Sequence, residues 1–157
     1  MSDLYLTLKL IHILGSAVLF GTGLGIAFFM WKANRTGDPA SIAPVARIVV
    51  VADALFVATA VVVQPLTGWA MMLLSGFSLF HWWIKATLVL YVFVGLCWLP
   101  VVWIQMKLRD MAMAAARDGT PLPPRYRTLY RIWFALGWPG FIGVIAIFAL
   151  MLWKPHW

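Results

Sequence analysis

Four apolar runs, at about 4–31, 47–74, 82–106 and 132–153, account for most of this chain. A helix rises about 1.5 Å per residue, so roughly 20 apolar residues cross a hydrocarbon core of about 30 Å, and every run is long enough. With 64% hydrophobic and 11% charged residues, against about 25% charged in soluble domains, the chain has too few polar side chains to clothe a water-facing surface. The expectation is an all-α membrane protein, a four-transmembrane-helix bundle forming a single domain over 1–157, with connecting loops at 32–46 and 107–131.

Charge orients the bundle. The first connection holds Lys32, Arg35 and Arg47, and the third holds Lys107, Arg109, Arg117, Arg125, Arg127 and Arg131. Residues 75–80 carry no charge, the N-terminal tail has only Asp3 and the C-terminal tail only Lys154. Basic loops stay in the cytoplasm, so loops 32–46 and 107–131 are expected there, with both termini outside, in a multi-pass protein of a bacterial inner (plasma) membrane. The net charge of +7 then reports topology and a lipid bilayer as partner, not nucleic acid. Met1 to Tyr5 lacks a basic n-region, so the first run is expected to be a retained helix rather than a signal peptide. Gly119 to Pro124 cannot sit inside a helix, which predicts a basic surface helix resting on anionic headgroups, then an extended turn. Trp31, Trp82, Trp83, Trp103, Trp133, Trp153, Trp157, Tyr5 and Tyr130 lie near run ends, where amphipathic rings settle at the interface. His156 is expected to be solvated, and the single cysteine, Cys97, excludes an intrachain disulfide or iron–sulfur cluster.

Ionisable residues inside a span cost several kcal/mol unless paired or hydrated, which makes them functional candidates. Lys9, His12, Asp53, His81 and Lys85 qualify. Lys9 and His12 fall about 8 and 12 Å along the first helix. Gln64 and Thr67 come late in the second, and His81 and Lys85 open the third, so these six share one outer layer. Spacings of three and four put each basic pair on one helix face. Asp53 lies toward the cytoplasmic side, where an ion pair with Arg47 or with a basic residue preceding the fourth helix, or a proton relay, would account for it. Gln64-Pro65 predicts a kink and a free carbonyl in the second helix, and Trp138-Pro139-Gly140 a perturbed fourth helix. Gly21-x-x-x-Gly25 is a small-xxx-small packing signal.

A histidine and two lysines in an apolar pocket suit haem b. Imidazole ligates the iron, apolar residues sheath the porphyrin and ammonium groups pair with its propionates. On this reading His12 is the axial ligand, Lys9, His81 and Gln64 help hold the cofactor, and Lys85 is the catalytic or proton-transferring group. His81 is a second metal ligand if the first and third helices face each other, or else an interfacial histidine. Lys85 equally suits snorkelling to the headgroups, and His12 equally suits a satisfied structural role.

Leu8-Lys-Leu-Ile-His-Ile-Leu-Gly15, Gly21-Thr-Gly-Leu-Gly-Ile-Ala-Phe-Phe-Met30, Gln64-Pro-Leu-Thr-Gly68, Trp98-Leu-Pro-Val-Val-Trp103 and Arg131-Ile-Trp-Phe-Ala-Leu-Gly-Trp-Pro139 together resemble a bacterial four-span membrane protein family of unassigned function. More distantly, Lys9-x-x-His12 and Lys85 behind Trp82-Trp83 are similar to the HemJ-type protoporphyrinogen IX oxidases. That resemblance implies His12 as haem ligand and Lys85 as an essential polar group, in an enzyme passing electrons from a porphyrinogen to the respiratory chain. The Tyr-His pair and the C-terminal Phe-Arg…Asn-Glu segment of those enzymes have no counterpart here, so haem binding carries over more readily than the reaction. The expectation is therefore a haem b-binding oxidoreductase or electron-transfer protein facing a quinone or porphyrin, with a homodimer to wall the cofactor. The alternative is a non-catalytic membrane subunit, or a small-solute or metal transporter with a hydrated polar cavity.

Overall fold

The computed structural model describes residues 3–155, so His156 and Trp157 lie outside the described residues. Among these the chain is entirely helical: α1 (Asp3–Asn34), α2 (Pro39–Ala52), a π-helical segment (Asp53–Val57), α3 (Ala58–Ser75), α4 (Trp82–Asp118) and α5 (Pro124–Trp153). The segment from Pro39 to Ser75 is one continuous helix, giving four helices long and apolar enough to span a membrane.

The helices outrun the sequence estimates and the loops shrink to match. The expected loop 32–46 contracts to a turn because Asp38 caps α2 early, its carboxylate accepting from the amides of Ala40 at 3.1 Å and Ser41 at 2.9 Å, with Pro39 supplying the first helical φ. The Ser41 hydroxyl, 2.6 Å away, and the Ala40 amide hold the Asp38 carboxyl below its usual range. The expected segment 107–131 does hold a helical stretch and then a turn at 119–123, but the helix is the uninterrupted continuation of α4 through Asp118, because 107–118 is rich in Ala, Met and Arg, and α5 starts already at Pro124. Gly76 and Gly119, at φ of 70° and 64°, take the left-handed conformation that ends α3 and α4.

At 37 residues, α4 is about 55 Å long, well beyond the bilayer's roughly 30 Å core. Its polar continuation projects from the basic end, and the core gathers there. Met30 and Ala33 of α1, Ile42, Ala46 and Val49 of α2, Ile104, Leu108 and Ala112 of α4, and Tyr126 and Trp133 of α5 form the buried cluster. Trp133 is thus an interior residue, its indole N–H donating to the buried Gln105 at 3.2 Å, rather than a member of the interfacial belt.

α4 pairs with α5 along their length and with α2 at the basic end, whereas α1 packs on α3, α2 and the π segment. Contact between α1 and α5 is slight and is marked by the stacked rings of Phe20 and Phe141, 4.8 Å apart. The second helix therefore changes neighbours along its length. Before the π segment it lies against both α4 and α1, and after it chiefly against α1.

Candidate functional site

Where α1 meets α3, two glycines let the backbones close. A Cβ on Gly15 would stand 2.5 Å from Gln64 Nε2, and one on Gly68 would stand 3.4 Å from His12 Cε1. By contrast, open space surrounds the Cβ position of Gly21, and that of Gly25 meets only Phe29 of its own helix, so the Gly21-x-x-x-Gly25 signal packs no other helix here. Across the α1–α3 seam the Gln64 amide nitrogen donates to the His12 carbonyl at 2.9 Å, and His12 Nδ1 lies 2.7 Å from Thr67 Oγ1.

The threonine fixes the tautomer of that histidine. Thr67 Oγ1 donates to the Val63 carbonyl at 2.8 Å, with a weaker branch to Gln64 O at 3.2 Å. A hydroxyl has one proton. Only one assignment satisfies every contact: the hydroxyl proton goes to the carbonyls, His12 Nδ1–H donates to Thr67 Oγ1, and Nε2 keeps a bare lone pair. The reverse tautomer would set the Thr67 oxygen lone pair against that of Val63. Because the Nδ1–Cε1 edge lies against Thr67 and Gly68, Nε2 is turned away from α3 on a half-buried ring.

The other polar groups of the expected layer do not gather round this ring. His81 immediately precedes α4, its Nδ1 lies 2.9 Å from Ser78 O, and its ring meets Phe77 edge-on at 5.4 Å. Lys85 is exposed, its ammonium 5.4 Å over the Phe80 ring, the posture of a snorkelling lysine. Lys9 is exposed on α1. Lys154, in the left-handed conformation at φ 41°, places its ammonium 5.4 Å over Phe77 and 5.8 Å over Trp83. Nearby, Trp82 Nε1 donates to the Pro155 carbonyl at 3.0 Å, which ties the end of α5 to the start of α4.

Asp53 corrects one expectation. Buried to 6% exposure at the start of the π segment, it accepts from the Trp98 indole at 3.3 Å, while the ion pairs among the described residues are Arg109–Asp110 and Arg117–Asp118. Arg47 faces outward and α4 offers Trp98 instead, so the burial is offset by an indole rather than a cation. The free carbonyl expected from Pro65 is present and taken. Proline at 65 deprives Val61 O of its usual donor, and the Tyr91 hydroxyl of α4 donates to it. Neither Trp98 nor Tyr91 is recognisable from sequence, because nothing local marks an indole or phenol as the partner of a residue 45 or 30 positions away.

A family profile described as predicted integral membrane protein (DUF2269) matches residues 6–155. The chain belongs to that family. No curated protein and no solved structure matches it.

Proposed function

We propose that this member of the DUF2269 family binds haem b through His12 Nε2 and serves in electron transfer or oxidoreduction, with a porphyrinogen or a quinol as the reductant class. One observation carries the reading: His12 Nδ1 lies 2.7 Å from Thr67 Oγ1, whose own proton is directed at the Val63 carbonyl, so Nδ1–H is the donor and Nε2 keeps its lone pair, the arrangement that prepares a histidine for a metal. The donor set favours a macrocycle over a bare ion, because among the described residues no three His, Cys, Asp or Glu side chains cluster and a porphyrin brings four nitrogens of its own. Bound haem would supply one-electron chemistry.

The chain's part is to orient the imidazole through Thr67, to clamp α1 on α3 through Gln64, and to offer the exposed Lys9 ammonium to a propionate. Lys85, at the opposite helix pair, is assigned proton exchange at the water boundary. The His12 ring is only half-buried, and a second copy of the chain would cover the open side of a group held there. Nine of the twelve Lys and Arg residues lie at the end formed by the 35–38 and 119–123 turns. The positive-inside rule then puts that end in the cytoplasm of a bacterial inner membrane and His12 toward the outer leaflet.

One feature favours a second reading, a non-catalytic membrane subunit: His81 and Lys85 are held by their own neighbours and do not converge on His12. A reduced-minus-oxidised spectrum of haem-supplied protein in mild detergent separates the two. The expected result is a b-type Soret and α band that disappears in His12→Ala and shifts in Thr67→Val. A well-folded preparation with no such band would leave the subunit reading in its place.

A further inference from the structure

At the end of the molecule remote from His12, α2 and α4 enclose a groove of about 250 Å³ lined by Ala43, Pro44, Arg47 and Met113. Positions 43, 44 and 47 fall on one face of α2, and Arg47 lies about 12 Å along that helix from Pro39, near the start of the apolar run. We infer that this groove binds an anionic phospholipid, with the Arg47 guanidinium on the phosphate and the Ala43, Pro44 and Met113 walls against the top of an acyl chain.

Three observations lead there. First, the Arg47 side chain makes no hydrogen bond, ion pair or ring contact with any described residue, whereas Arg109 and Arg117 are paired with Asp110 and Asp118, and Arg35 lies 5.3 Å over Trp31. Five guanidinium donors are thus available in the fork geometry that matches phosphate. Second, this end carries nine basic residues against three acidic ones, Asp38, Asp110 and Asp118. The first of those caps α2, the other two are in ion pairs, and Asp53, farther along the same helix, is buried against the Trp98 indole, so no acid is left to neutralise Arg47. Third, the walls other than Arg47 are apolar. A free phosphate in a protein site needs several polar donors, whereas one cation above an apolar slot matches a molecule with a charged head and a hydrocarbon body. Basic pockets between helices near a cytoplasmic surface are where anionic headgroups lodge.

The test uses the full chain in a neutral detergent, titrated with phosphatidylglycerol, phosphatidylcholine or inorganic phosphate. It is read by native mass spectrometry of retained lipid and by thermal unfolding. Phosphatidylglycerol is expected to remain bound and to raise the midpoint in a concentration-dependent manner, with phosphatidylcholine and phosphate having little effect. Arg47→Gln should weaken phosphatidylglycerol binding at least about tenfold, the equivalent of one lost charge-assisted contact. Met113→Trp, which fills the groove and keeps the charge, should weaken it too. Arg125→Gln removes a charge from the same end outside the groove and should leave binding unchanged. Equal stabilisation by the two lipids, reproduction of the shift by phosphate alone, or equal losses in Arg47→Gln and Arg125→Gln would each overturn the site. The haem spectrum of these variants should be unaltered, so this result and the one for His12 can fail separately.

Discussion

The basic end and the opposite end of this bundle are built from the same four helices but are held differently. At the basic end, Met30, Ile42, Ala46, Leu108 and Ala112 are all 0% exposed and meet side chains from three helices. Toward the other end, α1 leans on α3 through Gly15 and Gly68, α4 on α5, and Leu66, Leu73, Val89 and Leu96 point outward at 64–69% exposure. The solvent accounts for the contrast. Helix ends that project beyond the hydrocarbon meet water, where burying Leu108 or Ile42 is driven by the hydrophobic effect. Inside the bilayer a lipid tail is as apolar as leucine, so helices associate through close small-residue contacts and a few hydrogen bonds. Those hydrogen bonds, from Gln64 to the His12 carbonyl, between the His12 ring and Thr67, and from Tyr91 to Val61, are what the membrane-embedded part shows in place of a core.

The contrast is most directly broken by paired truncations. Leu108→Ala should cost about 2–5 kcal/mol, while Val89→Ala, at a residue 69% exposed, should stay within about 0.5 kcal/mol. Both are readable by unfolding in mixed micelles, and equal costs would erase the distinction. A smaller effect sharpens the hydrogen-bond side. Tyr91→Phe strands the Val61 carbonyl and should cost about 0.6–1.5 kcal/mol. In a Pro65→Ala background that cost should shrink toward zero, because the restored N–H at position 65 can reach the same carbonyl. An undiminished loss in the double mutant would mean that Tyr91 acts by packing. The smallest effect concerns the α2 cap. Its folded-state carboxyl is held below the ordinary value of 3.8, so Asp38 contributes stability that is present above that value and lost as the pH falls through the lower folded-state one. An acid titration of thermal stability should show a modest decline in this range that Asp38→Ala lacks.

Much of this was legible in the chain. Run length gave four membrane-crossing helices, Asp38-Pro39 and Gly119 are recognisable punctuation, and Pro65 announced a carbonyl in need of a donor. The layer of polar residues around His12 was legible only in part. Helical spacing put His12, Gln64 and Thr67 at one depth, and they do meet. The same reasoning put His81 and Lys85 at that depth without showing that α4 pairs with α5 and α2 instead of enclosing α1. Depth along an axis follows from counting residues, but azimuth around the bundle does not.

The sequence by itself determined what each segment must do with its backbone. In hydrocarbon every N–H and C=O has to be satisfied internally, so an apolar run of this length becomes a helix whatever its neighbours are. Which helices touch was decided only by the tertiary structure. The π segment at Asp53–Val57 marks where the second helix, packed on both α4 and α1 before it, leaves α4 and stays with α1, and the partners of His12, Asp53 and Val61 come from remote positions. In a bilayer, where apolar surface gains little from burial, those choices rest on a few close-packed glycines and hydrogen bonds. Their geometry exists only once the helices are side by side.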